Sequence, residues 1–129
     1  WIFLSCNLKG TQSKEEKIRI KMRKIMNDRK SNQPINQLTG GSTFKNTFKM
    51  KSWQLIDKAG CRGLAYGKAR VSEKHCNFLI NSGTAQSSDI ETLGEIVRRK
   101  VLSETGVSLE WEIIRIGEKT QNKMDNLYE

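Results

Sequence analysis

Apolar residues recur at helical spacing in some stretches and alternate in short blocks in others, so the chain predicts a few helices set among short strands. Ile2 and Leu4 alternate with Phe3 and Ser5, and residues 1–8 read as a short strand. A lone edge strand has no stability of its own, so this one should belong to a sheet supplied elsewhere. Ser13 with Glu16 makes a capping box. Ile18, Met22, Ile25 and Met26 then predict a helix from Lys14 to about Arg29, ended by Pro34, which pushes Gln33 out of the helical region. Ser52–Lys58 reads as a short helix whose buried stripe is Trp53 and Ile56, flanked by Leu55, with Gly60 near its C-cap. Residues 69–72 and 77–81 read as strands, and Asn81-Ser82-Gly83 as a turn. Ser88, with Glu91 after it, opens the best helix, which carries Ile90, Leu93, Val97 and Val101 to about Glu104 before Gly106 closes it. Leu109 to Ile116 reads as a final strand, and residues 119–129 as a polar tail. The order predicts an α+β domain, with a small mixed sheet packed with helices.

Between the first two helices lies Leu-Thr-Gly-Gly-Ser-Thr-Phe-Lys-Asn, residues 38–46. Paired glycines let a backbone take positive φ and approach a ligand closely. On a tight turn the hydroxyl of Ser42 would be exposed, with Lys45 and Asn46 adding a cation and an amide. Such a loop suits an anionic, hydrogen-bonding small molecule, although Gly-Gly-Ser is also an ordinary flexible turn. Arg29, Lys30 and Gln33 stand at the helix exit leading into it. Glu112 sits between Trp111 and Ile113-Ile114; alternation alone turns it to solvent, whereas a buried carboxyl there would carry a raised pKa and could donate a proton.

Composition narrows the partners. The 129 residues fit one domain, and a formal charge of +9 favours anions without choosing among nucleic acid, acidic lipid and a polyanionic metabolite. Residues 14–30 hold eight basic side chains against three acidic ones, but no aromatic platform interleaves with them as a nucleic-acid surface requires. No apolar run approaches the ~20 residues of a membrane span. Cys6, Cys61 and Cys76 are odd in number and widely spaced, and His75 is the lone histidine. That excludes a zinc pattern and favours free thiols in a reducing cytosol, so the chain is expected to be cytoplasmic. His75, in a connection between strands, reads as structural. A start on Trp1, inside an apolar strand, is expected of a piece of something longer.

Four consecutive blocks carry a resemblance. They are Gln-Pro-Ile-Asn-Gln-Leu-Thr-Gly-Gly-Ser-Thr-Phe-Lys-Asn (33–46), Leu-Ile-Asp-Lys-Ala-Gly-Cys-Arg-Gly-Leu (55–64), Val-Ser-Glu-Lys-His-Cys-Asn-Phe-Leu-Ile-Asn (71–81) and Leu-Glu-Trp-Glu-Ile-Ile-Arg-Ile-Gly (109–117). Together they resemble the C-terminal, substrate-binding domain of UDP-N-acetylenolpyruvoylglucosamine reductase (UDP-N-acetylmuramate dehydrogenase), a flavoenzyme family of peptidoglycan synthesis. The resemblance implies that NADPH reduces bound FAD and that hydride then passes to the enolpyruvyl double bond of UDP-N-acetylglucosamine enolpyruvate. It makes Ser42 the proton donor and Glu112 the group that assists at the substrate carboxylate and developing enol. It also makes Arg29, Gln33 and Asn46 substrate-binding, the arginine suiting a diphosphate; Lys30 at the helix exit and Lys45 on the loop are expected to join them by position.

The resemblance divides the chain into a remnant last strand of the FAD-binding domain (1–12), the substrate-binding domain (13–118) and a flexible tail (119–129). Thr47 stands where the family has proline and should loosen the loop; Lys68, Arg70 and Ile114 also depart from its pattern, which bears on substrate affinity. The FAD-binding half is expected to precede this chain, so the chain alone should be inactive, with a separately made N-terminal half as a possible partner and no nucleic acid or membrane. Two other readings compete: a truncated remnant without function, and a small basic nucleic-acid-binding protein.

Overall fold

A computed structural model describes residues 2–117, which fall into two units, one ending at Ser31 and one beginning at Asn32. The first unit holds no strand among its described residues: residues 2–14 carry no regular structure and Ile2, Phe3 and Leu4 are exposed, which corrects the strand expected at 1–8. A strand is defined by its ladder, and none of the described residues offers that segment one. The helix of this unit, α1 (Glu15–Asn32), is longer than expected, and the bond from Ile18 N–H to the Lys14 carbonyl makes Lys14 rather than Ser13 its N-cap. None of its residues is buried: Ile18, Met22, Ile25 and Met26 keep about half their surface in solvent, so the period is right and the stripe is bare. The expected tail, residues 119–129, lies outside the described residues.

The second unit is a sheet with helices packed on it, the α+β arrangement that the order of elements predicts, and every described strand pair is antiparallel, so the sheet is not mixed. Its strands are β1 (Leu38–Ser42), β2 (Ala65–Tyr66), β3 (Ala69–Val71) and β4 (Phe78–Asn81), arranged β1-β4-β3-β2. Helix α2 (Ser52–Lys58) has the expected bounds, and α3 (Ser87–Thr105) starts one residue before Ser88, with Gln86 as N-cap donating its N–H to Asp89 Oδ2 at 3.1 Å. Gly106 ends α3 at φ 69°, a left-handed position that glycine takes without strain.

The core forms where α2 and α3 meet the sheet. Leu93, Val97 and Val101 of α3 are fully buried and meet Ala69, Val71 and Leu79 from the sheet and Leu55 and Ile56 from α2. Each such side chain contributes roughly 1.5–3 kcal/mol on burial. The buried pair on α2 is therefore Leu55 and Ile56; Trp53 stays partly in solvent beside the His75 ring, contrary to its expected place in the stripe. Three and four residues define a helix face only loosely in a helix of two turns, and the larger ring is the one left at the rim.

Two further expectations change. The Gly-Gly stretch is a strand rather than a turn, because β4 supplies it a ladder: Leu38 pairs Asn81, Thr39 pairs Ile80 and Ser42 pairs Phe78. Three steps along β1 against two along β4 leave one extra residue, a β-bulge at Gly40-Gly41. Residues 109–116, in turn, form no strand; a single bridge joins Trp111 to Phe44. The edge there is short: Lys45 N–H to Glu110 O (2.8 Å), Glu112 N–H to Thr43 O (2.9 Å) and a longer bond from Ile113 N–H to the same Thr43 carbonyl (3.4 Å) close on it.

Asn77 fastens that edge. Its Oδ1 accepts from Phe44 N–H at 3.0 Å and its Nδ2 donates to Phe44 O at 2.8 Å, both bonds buried. The amide thus supplies from a side chain what a neighbouring strand would supply from its backbone. Asn77→Asp keeps the acceptor, removes the donor and sets an oxygen against the Phe44 carbonyl. In urea unfolding of the full chain it should cost at least about 1–3 kcal/mol, the penalty for a buried group left without its partner.

Candidate functional site

The bulge gives the two glycines different tasks. Gly41 has φ 91°, and a Cβ there would meet nothing within 4 Å, so what it supplies is backbone conformation. Gly40 supplies room: a Cβ would lie 3.1 Å from Ile113 Cδ1. Ser42 follows, half-buried at the end of β1, and no hydrogen bond of its hydroxyl is found among the described residues. Thr43 is buried; its N–H donates to Asn77 O at 2.8 Å and its Oγ1 accepts from Leu79 N–H at 3.3 Å.

Glu112 comes to this edge from the other end of the unit. Its N–H closes on the carbonyl of Thr43, the residue after Ser42, so the backbone brings the two candidate chemical groups onto facing segments. The residue is exposed, as alternation alone implied, and its carboxylate has no partner among the described residues.

The other candidates divide. Lys45 Nζ is paired with Glu110 Oε1 at 2.7 Å, both side chains more than half exposed, so the pair holds little energy and a ligand anion can displace the carboxylate. Asn46 Oδ1 accepts from Ser52 N–H at 3.1 Å, and Ser52 Oγ donates to the Lys45 carbonyl; the end of the motif is thereby tied to the start of α2. Thr47 does not loosen the loop. Its N–H donates to Met50 O at 3.1 Å, its hydroxyl donates to the same carbonyl at 2.8 Å and accepts from Met50 N–H at 3.0 Å, which closes a turn without proline. Gln33 is half-buried next to the buried Pro34, whereas Arg29 and Lys30 lie in the last turn of α1, in the first unit. Of the remaining departures, Lys68 sits in the β2–β3 turn with its N–H toward Asp89 Oδ2 at 3.4 Å, and Arg70 and Ile114 are exposed.

Sequence reasoning missed what holds residues 109–115 in place. Trp111 lies against Phe44, ring centroids 4.9 Å apart, and fills the space over Gly94, where a Cβ would come within 2.0 Å of its Cη2. Its indole N–H donates to Glu95 Oε1 at 2.9 Å. Arg115 stands over the indole ring, 4.7 Å from its centroid, and pairs with Glu91 at 2.6 Å; Arg98 Nε donates to Leu109 O at 2.9 Å. Glu91, Glu95 and Arg98 stand at helical spacing on α3, a signal readable as a solvated charged face; nothing in the sequence says that a tryptophan lies on it.

Comparisons with known proteins bear on the family of the chain. A family model for the C-terminal domain of UDP-N-acetylenolpyruvoylglucosamine reductase matches residues 33–116. The chain belongs to that family. Relatives bearing the reductase name include one from Beijerinckia indica, 59% identical over 116 residues (90% of this chain, 37% of the relative), and one from Gluconobacter oxydans, 52% identical over 122 residues (95% and 40%). Among solved structures, the UDP-N-acetylenolpyruvylglucosamine reductase of Thermus caldophilus is similar, with a TM-score of 0.64 and 34% identity, covering 79% of this chain and 36% of that one. The chain thus spans about two-fifths of the length of its curated relatives.

The thiols and the histidine are not among the candidate site residues. Among the described residues no His, Cys, Asp and Glu cluster suits a metal ion, and no helix is long and apolar enough to cross a membrane. Burial pushes the Cys76 thiol up to about 11 and raises that of Cys61 as well. Burial pushes the His75 imidazole down, and the ring packs edge-on against Phe78 with centroids 4.9 Å apart, a structural role. The Arg62 guanidinium, bonded to Asp57 at 2.8 and 2.9 Å, holds that carboxyl below its usual range. Cys6 is exposed. Alkylation by iodoacetamide near neutral pH, followed by mass spectrometry, should therefore modify Cys6 quickly and reach Cys61 and Cys76 only once the chain unfolds.

Proposed function

We propose that the chain is the substrate-binding domain of a flavoenzyme that reduces UDP-N-acetylglucosamine enolpyruvate to UDP-N-acetylmuramate. The observation that carries the reading is the bond from Glu112 N–H to Thr43 O, which joins the Ser42 strand to the Glu112 segment. In this reading Ser42 donates the proton that completes the reduction. A serine hydroxyl is a poor acid in water, but a strongly basic carbanion or enol can take its proton when the hydroxyl is fixed in place. The bulge at Gly40-Gly41 is what would fix it. Glu112 assists at the substrate carboxylate and the developing enol, and Gln33, Lys45 and Asn46 bind the anionic and polar parts of the substrate. Lys45 is suited to this because Glu110 holds it extended at an exposed surface until an anion replaces the carboxylate.

The described residues do not fit FAD as a cradle. The core of the second unit is filled by side chains, and no buried side-chain polar atom there is left without a partner. The reading therefore assigns FAD, and its reduction by NADPH, to the remainder of a complete enzyme, whether on the same chain or a separate one. What falls to this chain is the substrate side of the reaction: holding the anion and moving the proton. On its own it should neither hold FAD nor turn over.

Purified chain mixed with FAD should leave flavin fluorescence unquenched; stoichiometric quenching would end this division of labour. A chimera in which the chain replaces the matching part of the Beijerinckia indica reductase tests the proton donor. There Ser42→Ala should leave flavin reduction by NADPH unchanged and slow reoxidation by the enolpyruvyl substrate by about 10²–10⁴-fold, the usual contribution of a positioned acid. An unaffected second half-reaction in stopped-flow absorbance would refute the role of Ser42.

A further inference from the structure

We infer that Trp111 is the positioning residue for Glu112, an inference that rests on the reading of Glu112 given above. Glu112 has no regular strand to aim it: its segment shares a single bridge with the Phe44 edge, two backbone bonds flank that bridge, and the one further bond, from Ile113 N–H to the Thr43 carbonyl, is long at 3.4 Å. Its orientation therefore depends on the residue beside it. Trp111 is partly buried and held by Phe44 across the bridge, by the bare backbone of Gly94 beneath the ring, by Glu95 at the indole N–H and by the Arg115 guanidinium over the ring face. Glu95 is itself held by Arg98 at 2.7 Å, and Arg98 reaches back to the Leu109 carbonyl, so the clamp closes on both flanks of the segment. A ring so constrained fixes the backbone at 111, and a fixed backbone at 111 sets where the next residue's carboxylate begins. The ring touches no candidate substrate group itself; it acts through Glu112.

A purely structural tryptophan and a positioning one differ in how their loss combines with that of Glu112. In the chimeric reductase Trp111→Phe keeps a ring over Gly94 and removes the donor to Glu95. The expected result is unchanged flavin reduction by NADPH with reoxidation slowed on the order of tenfold, since small misplacements of a reacting group are costly. With Glu112→Gln already present, Trp111→Phe should change reoxidation by less than about twofold, because the group it positions is gone. Glu95→Ala, which leaves the indole intact and removes its acceptor, should give the same pattern and serves if the Trp111 variant fails to fold. Losses that multiply in the double variants would overturn the inference while leaving Glu112 in its role. A Glu112→Gln enzyme with normal reoxidation would overturn the role of Glu112, and the inference with it.

Discussion

The side-chain amide of Asn77 closes the two main-chain hydrogen-bonding groups of Phe44 in a place where no strand is available to close them. Buried N–H and C=O groups left open cost as much as a hydrogen bond is worth, so this pair decides whether the edge at residues 43–45 exists at all. Everything proposed for the site hangs from that edge. Phe44 must face inward for Trp111 to lie against it, Trp111 must lie there to cover Gly94, and the carbonyl of Thr43 must be presented for Glu112 to bond to it. An amide suits the task, since it donates and accepts from one planar group without carrying a charge or needing a proton. A buried polar side chain here specifies geometry where apolar packing alone would leave the edge free to slide.

Local pattern was legible in proportion to how much of each element's environment it carries within itself. Helix α3 holds a long stripe, and Leu93, Val97 and Val101 are buried as their spacing implies. Helix α2 is short, so its face was ambiguous, and Trp53 proved to be at the rim. The strand at the glycine pair was invisible because glycines and serine have poor strand preference; it exists because β4 lies alongside and supplies the ladder. The reverse failure occurred at residues 109–116, where apolar alternation promised a strand that its neighbours accept at one bridge only.

The candidate site was legible by motif and not by physics. Gly-Gly-Ser followed by lysine and asparagine identifies a loop with chemical potential, yet the partners of Lys45 and Asn46 are Glu110 and the N–H of Ser52, which no spacing rule connects to them. Helix α1 shows the same limit from the other side. Its apolar residues keep helical period and remain in solvent, in a chain spanning about two-fifths of its relatives' length. Periodicity records that a face is built to be covered, and it does not record what covers it.

The glycines show why the site needs irregular backbone. A regular strand through residues 38–42 would alternate its side chains and fix Ser42 by parity alone; the extra residue at the bulge breaks that parity and lets the hydroxyl be aimed independently of its neighbours. Gly94 does the complementary thing on a regular element. By omitting a side chain on α3 it admits the largest ring in the chain, and so converts a helix face into a socket for the segment that carries Glu112. One glycine pair frees a residue from the parity of its strand, and one glycine captures a residue that has almost no ladder. Two groups distant in sequence can then be held on facing segments whose own hydrogen bonds would be too few to hold them.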